Sequence, residues 1–438
     1  MPGERASTTG PQGRHIVPIR IMAIRGFKDI LPPETHRWQI LEEVARLSFE
    51  SFGFREIRTP ILEKTEIFAR GIGEHTDIVE KEMYTFKDRS GESVTLRPEA
   101  TAGIIRAYIE NRLYSKASVQ KLYTIGPMFR YERPQKGRLR QFHQINAELI
   151  GSDNPISDTE VIWIAWEILR EFGIHGLRLE INSLGCPDCR PEHRKDLLVF
   201  LENNRQELCV DCQRRMKVNP LRVFDCKNRD CRRVLMPAPV IKHYWCPRCS
   251  EHLGKVLDNL EFVEIPFVIN PYLVRGLDYY QRTTFEIKAE KLGAQDTVAA
   301  GGRYDGLVEE LGGPSVPGVG MAIGMERVLL LAEEGEGTGP EETDCFFAIL
   351  ENDGIEYALK WMKELRHLGH VCETAYEKKS LKAQLRLADK LRTRFVVILG
   401  EDELNDEKAL VRDMTTHEQW HVHFNDLVND LGARLSEE

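Results

Sequence analysis

Residues 119–151 read VQKLYTIGPMFRYERPQKGRLRQFHQINAELIG. Two apolar, β-leaning runs, Val119–Phe129 and Leu139–Ile150, flank a charged connection, and this predicts a long β-hairpin. Pro134 and Gly137 mark the connection as a loop. Within it stand five basic residues, Arg130, Arg133, Lys136, Arg138 and Arg140, against one acid, Glu132. A loop is expected to present these charges to solvent. Beyond it, Gln144 and Glu148 are four residues apart, so at the two-residue period of a strand they point to the same face. Such a face can floor a pocket for a small cationic or hydrogen-bonding ligand, with arginines at the rim for phosphate. A solvated, charged hairpin would have the same composition, so the rest of the chain has to decide.

The chain has 438 residues, enough for two or three domains with a sizeable core. Its 42% hydrophobic and 29% charged content is that of a soluble globular protein. No apolar run reaches the ~18 residues of a membrane helix, so no membrane partner is expected. The net charge of -9 argues against nucleic-acid binding driven by the overall field, but leaves room for a local basic surface. Residues 1–22 are rich in Gly, Pro, Ser and Thr, lack the features of a secretory signal, and are expected to form a disordered extension. Met22 is a second candidate start.

From there the chain is organised. Trp38, Leu41, Val44, Ala45, Phe49 and Phe52 recur at helical spacing, with Thr35 a candidate cap and Gly53 a stop. FREIRTPILE follows as an extended run that Pro60 confines to a sheet edge or bulge. Residues 83–97 predict a hairpin turning at Arg89–Gly91, and a helix is expected over Ala102–Leu113. Glu99 and Thr101 stand at the strand-to-helix junction, where a carboxylate and a hydroxyl can meet an ammonium group. Thr101 could equally serve as the helix cap. Asp158–Phe172 predicts a helix and LRLEINS a strand.

Eight of the ten cysteines fall in four pairs: Cys186/Cys189, Cys209/Cys212, Cys226/Cys231 and Cys246/Cys249. Three pairs are C-x-x-C knuckles, and eight thiolates suit two four-cysteine zinc sites. Nothing supports a secreted disulfide framework or a thioredoxin-like redox motif. Spacing does not say which cysteines would share an ion. His193, His243 and His252 could each replace a thiolate, but are expected at the surface.

VRGLDYYQRTTFEI alternates as a half-buried strand, with Arg275 at a glycine turn. AAGGRYDGLVEELGG predicts a strand, a Gly-Gly turn and a short helix. GVGMAIGMERVLLLAEE predicts a glycine-spaced strand running into a helix with Arg327 in its first turn, where an anion is attracted. The acidic, glycine-rich residues 334–342 form a linker. Residues 343–438 alternate β-α-β-α-β and predict a small α/β domain with a largely parallel sheet, in which Cys345 and Cys372 are core residues.

FRYERPQKGRLRQFHQ resembles the second signature motif of class II aminoacyl-tRNA synthetases in its histidyl form. The likeness to histidyl-tRNA synthetases runs over residues 24–430. The helix, strand and Pro60 resemble the first class II motif, LRPEATAG resembles LRPEGTAG with Ala100 in place of a glycine, and RGLDYY and AAGGRYDG resemble two histidine-specific signatures. GVGMAIGMER resembles the third class II motif. The resemblance implies an α+β catalytic domain with a mixed, mainly antiparallel sheet (residues 23–184 and 263–333). It also implies a Cys-rich insertion (185–262) and a C-terminal α/β anticodon-binding-like domain (343–438). The implied protein is a cytoplasmic homodimeric ligase using L-histidine, ATP with Mg²⁺, and the histidine tRNA. By resemblance, Arg130 and Arg275 are catalytic, with Arg130 and Arg327 on ATP. Glu99, Ala100, Thr101, Arg130, Gln144, Glu148, Arg275, Tyr279 and Tyr280 surround histidine, and Arg133, Lys136, Arg138 and Arg140 meet the tRNA. The alternative is a non-catalytic histidine-binding regulatory paralogue in histidine biosynthesis. Such paralogues lose catalytic arginines and usually the C-terminal domain, whereas Arg130, Arg275, Arg327 and residues 344–430 are present here.

Overall fold

A computed structural model describes residues 21–73, 76–289, 296–332, 343–377 and 379–436. Residues 1–20 of the expected extension and the whole expected linker, 334–342, lie outside the described residues. The chain divides into two compact units, 1–335 and 336–438.

The first unit contains β1 (Arg55–Glu56), β2 (Leu62–Lys64), β3 (Tyr84–Lys87), β4 (Ser93–Leu96), β5 (Gln120–Phe129) and β6 (Gln141–Ile150). After these come β7 (Leu177–Ser183), β8 (Phe267–Ile269), β9 (Gln281–Ala289), β10 (Thr297–Arg303) and β11 (Gly318–Gly324). Eight of them form one sheet in the order β1-β5-β6-β11-β10-β9-β7-β8, and β2-β4-β3 form a second. The large sheet is antiparallel except at its rims, where β1 runs parallel to β5 and β8 to β7. Pro60 follows β1 at the rim, where the missing donor costs nothing.

Strand parity divides the large sheet. Ile145, Ala147 and Leu149 of β6 share a face with Val319, Met321 and Ile323 of β11, Phe285 and Ile287 of β9, and Leu179 and Ile181 of β7. All are buried against helices Glu34–Ser51, Pro155–Glu171, Pro247–Phe262 and Met325–Leu331. Each of these side chains larger than Ala147 contributes about 1.5–3 kcal/mol through burial. The opposite face carries the polar Gln144, Asn146 and Glu148 together with Leu122, Met128 and Ile150, which pack in a second apolar cluster.

Arg303, fully buried at the end of β10, joins this core to two helices. Its guanidinium donates to Asp158, to the Ser152 carbonyl at 2.8 Å and to Ser157 Oγ at 3.1 Å. His252 Nε2 stands 3.3 Å from the same Asp158 carboxylate. Burial alone would raise the Asp158 pKa, but the adjacent guanidinium outweighs it and holds the carboxyl at about 2.

Several local expectations need correction. The helix begins at Glu34 behind Pro33, so Thr35 lies inside its first turn and does not cap it. The RGLDYY segment precedes β9 as a loop, because the strand starts only at Gln281. Gly301 and Gly302 are not a turn: both sit within β10. A Cβ on Gly301 would meet the Gly320 carbonyl at 2.2 Å, and one on Gly302 the Thr283 carbonyl at 2.6 Å. These glycines exist for close strand approach.

Among the described residues, 184–266 form helices and turns with no strand. The second unit carries β12 (Cys345–Ile349), β13 (Cys372–Thr374), β14 (Phe395–Leu399), β15 (Lys408–Asp413) and β16 (Gln419–His423), in the order β13-β12-β14-β15-β16. The first three are parallel, but β15 and β16 add an antiparallel edge, so the sheet is mixed rather than largely parallel. Cys345 and Cys372 are buried in its core.

Candidate active site

The polar face of β6 carries Gln144, Asn146 and Glu148 in a row. Opposite them in register on β11 stand Gly324, Ala322 and Gly320. Three polar side chains therefore face three of the smallest residues, and the space between becomes the floor of a cavity of about 480 Å³. The closest approach is at Gly320, where a Cβ would lie 1.8 Å from Glu148 Oε2. Only glycine admits the carboxylate there.

Glu148 is fully buried. Its oxygens accept from Thr101 Oγ1 at 2.6 Å and from the Tyr304 hydroxyl at 2.5 Å. Burial pushes its pKa up to about 8 against those two hydrogen bonds, and neighbouring Glu99 adds to the rise. Glu99 accepts from the backbone N–H groups of Thr101 at 2.7 Å and Ala102 at 2.8 Å, the first donors of helix Thr101–Glu110. The carboxylate of Glu99 thus caps this helix, which leaves the Thr101 hydroxyl for Glu148. Helix ends supply unpaired N–H groups, so a carboxylate is well placed there. Ala100, between them, is buried in the core and does not line the cavity.

Tyr279 and Tyr280 close the same end, with ring centroids 4.6 Å apart, and Tyr279 meets Tyr304 edge-on at 5.8 Å. Burial raises the pKa of all three phenols, so each remains a neutral hydrogen-bonding hydroxyl. Gln144 Oε1 and Asn146 Nδ2 are buried without a partner. A buried polar atom left unpaired costs about 1–3 kcal/mol, which a ligand can recover.

The other end of the cavity is cationic. Arg130 donates to the Pro98 carbonyl at 2.8 Å and lies over the Phe142 ring. Arg275 pairs with Glu286, and Arg327 donates to the Thr297 carbonyl at 2.7 Å. Burial lowers the pKa of Arg130 and Arg327; the charges of Arg138 and Arg130 lower that of Arg327 further, whereas Glu82 and Glu99 offset part of the burial at Arg130. Like charges held together in a half-dry cleft make a site for an anion, because an anion removes their repulsion.

The basic loop is less exposed than expected. Arg133 and Lys136 face solvent, but Arg138 pairs with Glu132 and lines the cavity, while Arg140 stacks on the Tyr131 ring at 3.8 Å. Loop composition predicts exposure; it does not register the acid and the aromatic ring that fold two of these arginines back. Residues not anticipated in the cavity wall include Asn146, Tyr304, Glu286 and Lys288. The period-two argument that selects Gln144 and Glu148 selects Asn146 between them. The others need the pairing of distant strands.

Outside the cavity the cysteines gather into two groups. Cys186, Cys189, Cys246 and Cys249 form one, and Cys209, Cys212, Cys226 and Cys231 the other, with ligand atoms within 4.8 Å of one another in each. The Sγ separations are 3.6 and 3.9 Å for Cys186 with Cys189 and Cys246, and 3.8 Å for Cys209–Cys226. Four sulfurs placed tetrahedrally at ~2.3 Å from an ion are about 3.8 Å apart, so both groups fit zinc. His193 and His252 join neither group, and both are buried rather than at the surface: His193 Nε2 meets the Pro239 carbonyl, and His252 meets Asp158.

The family model described as Histidyl-tRNA synthetase matches residues 26–187 and 239–328, and that described as Anticodon binding domain matches residues 344–434. A Histidine–tRNA ligase of Desulfotalea psychrophila is 52% identical over 420 residues, 95% of this chain and 96% of its own length. One from Trichlorobacter lovleyi is 50% identical over 403 residues, 92% of this chain and 96% of its own. Among solved structures, the apo histidyl-tRNA synthetase of S. aureus superposes with a TM-score of 0.80 at 35% identity, covering 94% of this chain and 100% of its own.

Proposed function

The chain belongs to the histidyl-tRNA synthetase family, and from this we infer that it is a histidine–tRNA ligase. It activates L-histidine with ATP and passes the histidyl group to the 3′ end of the histidine tRNA. The observation that carries this reading is the polarity of one cavity. A carboxylate, amide and phenol end stands opposite an arginine end, as a cationic amino acid joined to an anionic nucleotide requires.

No protein nucleophile is needed. The histidine carboxylate attacks the α-phosphorus of ATP, the bond to pyrophosphate breaks, and pyrophosphate leaves. Arg130 and Arg275 hold the α-phosphate and the attacking carboxylate, and Arg327 holds the γ-phosphate, so charge developing in the transition state meets fixed cations. The magnesium ion enters as part of the ATP substrate and spreads the charge of its phosphates. Glu99, Thr101 and Gln144 take the α-ammonium group; the unpaired Gln144 Oε1 supports this assignment. Glu148 and Tyr280 bracket the imidazole, one partner for each ring nitrogen. With its pKa near 8, Glu148 can meet the ring either as a donor or as an acceptor around neutral pH. An analogue lacking a ring nitrogen leaves these buried groups unpaired, which supports rejection by a factor of order 10⁴. In the second step the terminal ribose hydroxyl of the tRNA attacks the histidyl carbonyl and AMP leaves. Arg133 and Lys136 are the exposed loop cations available to tRNA phosphate, with Arg138 and Arg140 behind them.

Histidine-dependent exchange of labelled pyrophosphate into ATP tests the activation step. Exchange is expected with histidine and with none of the other nineteen amino acids. Histidine binding without exchange would overturn the ligase reading.

The two cysteine groups hold structural zinc in this reading, Cys186/Cys189/Cys246/Cys249 at the neck of the insertion and Cys209/Cys212/Cys226/Cys231 within it. When bound, the ions supply folding free energy to a segment whose own apolar cluster is small. Metal analysis of the purified protein is expected to find two zinc ions per chain. A metal-free sample with full activity and an unchanged melting temperature would refute it. No helix among the described residues is long and apolar enough to cross a membrane, and reduced thiolates suit the cytoplasm. Exposed Leu47 on the first helix and exposed Ile61 and Leu62 at the start of β2 support a homodimer, which the mass in solution checks.

A further inference from the structure

The segment between Cys212 and Cys226 grips two loops of the cavity wall. Asp77, at the start of the helical turn Ile78–Glu82, receives three arginines from it. Arg214 Nη2 lies 3.2 Å from Asp77 Oδ1, and Arg215 Nη2 and Arg222 Nη2 lie 3.4 and 3.3 Å from Oδ2. Arg214 also reaches Glu80 at 2.8 Å. Asn219, in the same segment, donates from Nδ2 to Asp278 Oδ1 at 2.7 Å.

Each gripped loop leads directly to cavity side chains. Ile78 follows Asp77 and lines the cavity, and the Glu82 carbonyl accepts from Tyr131 N beside Arg130. Asp278 lies between Leu277 and Tyr279, and its N–H donates to the Ile72 carbonyl at 3.1 Å, at the end of the helix Thr65–Ile72 that precedes Asp77. Neither loop is held by a strand: 275–280 precedes β9, and Ile78–Glu82 is one isolated turn. A ligand-binding loop without ladder hydrogen bonds takes its geometry from side-chain anchors.

We propose that Arg214–Arg222 is a clamp that sets the histidine end of the cavity, and that Asp77 and Asn219 are positioning residues for Tyr279 and Tyr280. The second cysteine group fixes both ends of the clamp, through Cys212 before it and Cys226 after it, and so couples a structural metal site to substrate affinity. Two of the cavity arginines lie outside the clamp, Arg130 and Arg327 being anchored on the Pro98 and Thr297 carbonyls, whereas Arg275 stands in the gripped loop and is held also by Glu286. The proposal rests on the histidine reading of the pocket.

The test uses full-length Asp77→Ala, Asn219→Ala and Asp77→Glu, each checked for metal content and melting temperature. In pyrophosphate exchange, the first two are expected to raise the histidine KM by at least about tenfold, while the ATP KM stays within about threefold. Asp77→Glu is expected to recover part of the loss. Backbone amides of 275–280 are expected to exchange hydrogen faster in Asp77→Ala than in the parent. An unchanged histidine KM in both alanine variants, or unchanged amide exchange, would overturn the clamp. An equal loss in kcat and in both KM values would mark general damage and would also overturn it. If the parent protein shows no histidine-dependent exchange, the substrate reading fails, whereas amide exchange at 275–280 still decides the clamp.

Discussion

Arg275→Ala is expected to cut histidine-dependent pyrophosphate exchange by at least 100-fold, about 2.7 kcal/mol of transition-state stabilisation. The half-buried guanidinium stands in the cavity wall, paired with Glu286 and with its charge over the Tyr280 ring at 5.8 Å. That pairing aims the fork and leaves donors for an anion, and charge grows on the α-phosphate as the histidine carboxylate attacks. Histidine itself is expected to bind the variant with part of its affinity kept, since Glu148, Thr101 and Gln144 remain. The loss should therefore fall mainly on kcat. Arg275→Lys is expected to regain only a part, because an ammonium lacks the planar fork. Steady-state exchange with a melting curve for each variant decides; unchanged turnover in Arg275→Ala would remove this residue from the mechanism.

The largest effect on stability is expected at Asp158. Its carboxylate and the Arg303 guanidinium are both fully buried, and Asp158→Ala leaves that guanidinium with only the less buried Asp305, at 3.1 Å, to balance it. Such a change costs about 3–5 kcal/mol. Replacing both partners by apolar residues, Asp158→Leu with Arg303→Met, is expected to cost less than the sum of the single changes. Urea titration of the first unit's unfolding measures both. The pH dependence follows from the direction of the shift. The folded carboxyl titrates at about 2, below its unfolded value near 4. Its contribution is therefore complete above pH 4 and disappears as the pH falls through 2. A variant series that unfolds identically in acid with and without Asp158 would contradict this.

The hairpin at the centre of the site is legible in residues 119–151 because alternation, a proline and a glycine act locally. The observed strands begin and end within two residues of the expected runs. The zinc-like cysteine spacing is legible for the same reason, whereas the mixed, mainly antiparallel sheet is legible only through the family resemblance. What escapes is everything decided by partners distant in sequence. Cysteine spacing does not reveal that Cys186/Cys189 meet Cys246/Cys249 across sixty residues of chain. The RGLDYY segment alternates like a strand, yet the anchors on Asp278 and the Tyr280 carbonyl hold it as a loop. Glu99 and Thr101 are visible as a polar pair at a helix start, but which of them caps it depends on Glu148, forty-seven residues away from Thr101.

The alternation along β6 has one more consequence, for how such a pocket can change. The cavity floor occupies the even positions, Gln144, Asn146 and Glu148, and the core occupies the odd ones, Ile145, Ala147 and Leu149. Deleting one residue from this strand would exchange the two sets and drive a carboxylate and two amides into the hydrophobic interior. Folding and ligand choice thus share a single reading frame. New specificities can arise here by substitution, and a change of length would erase both at once.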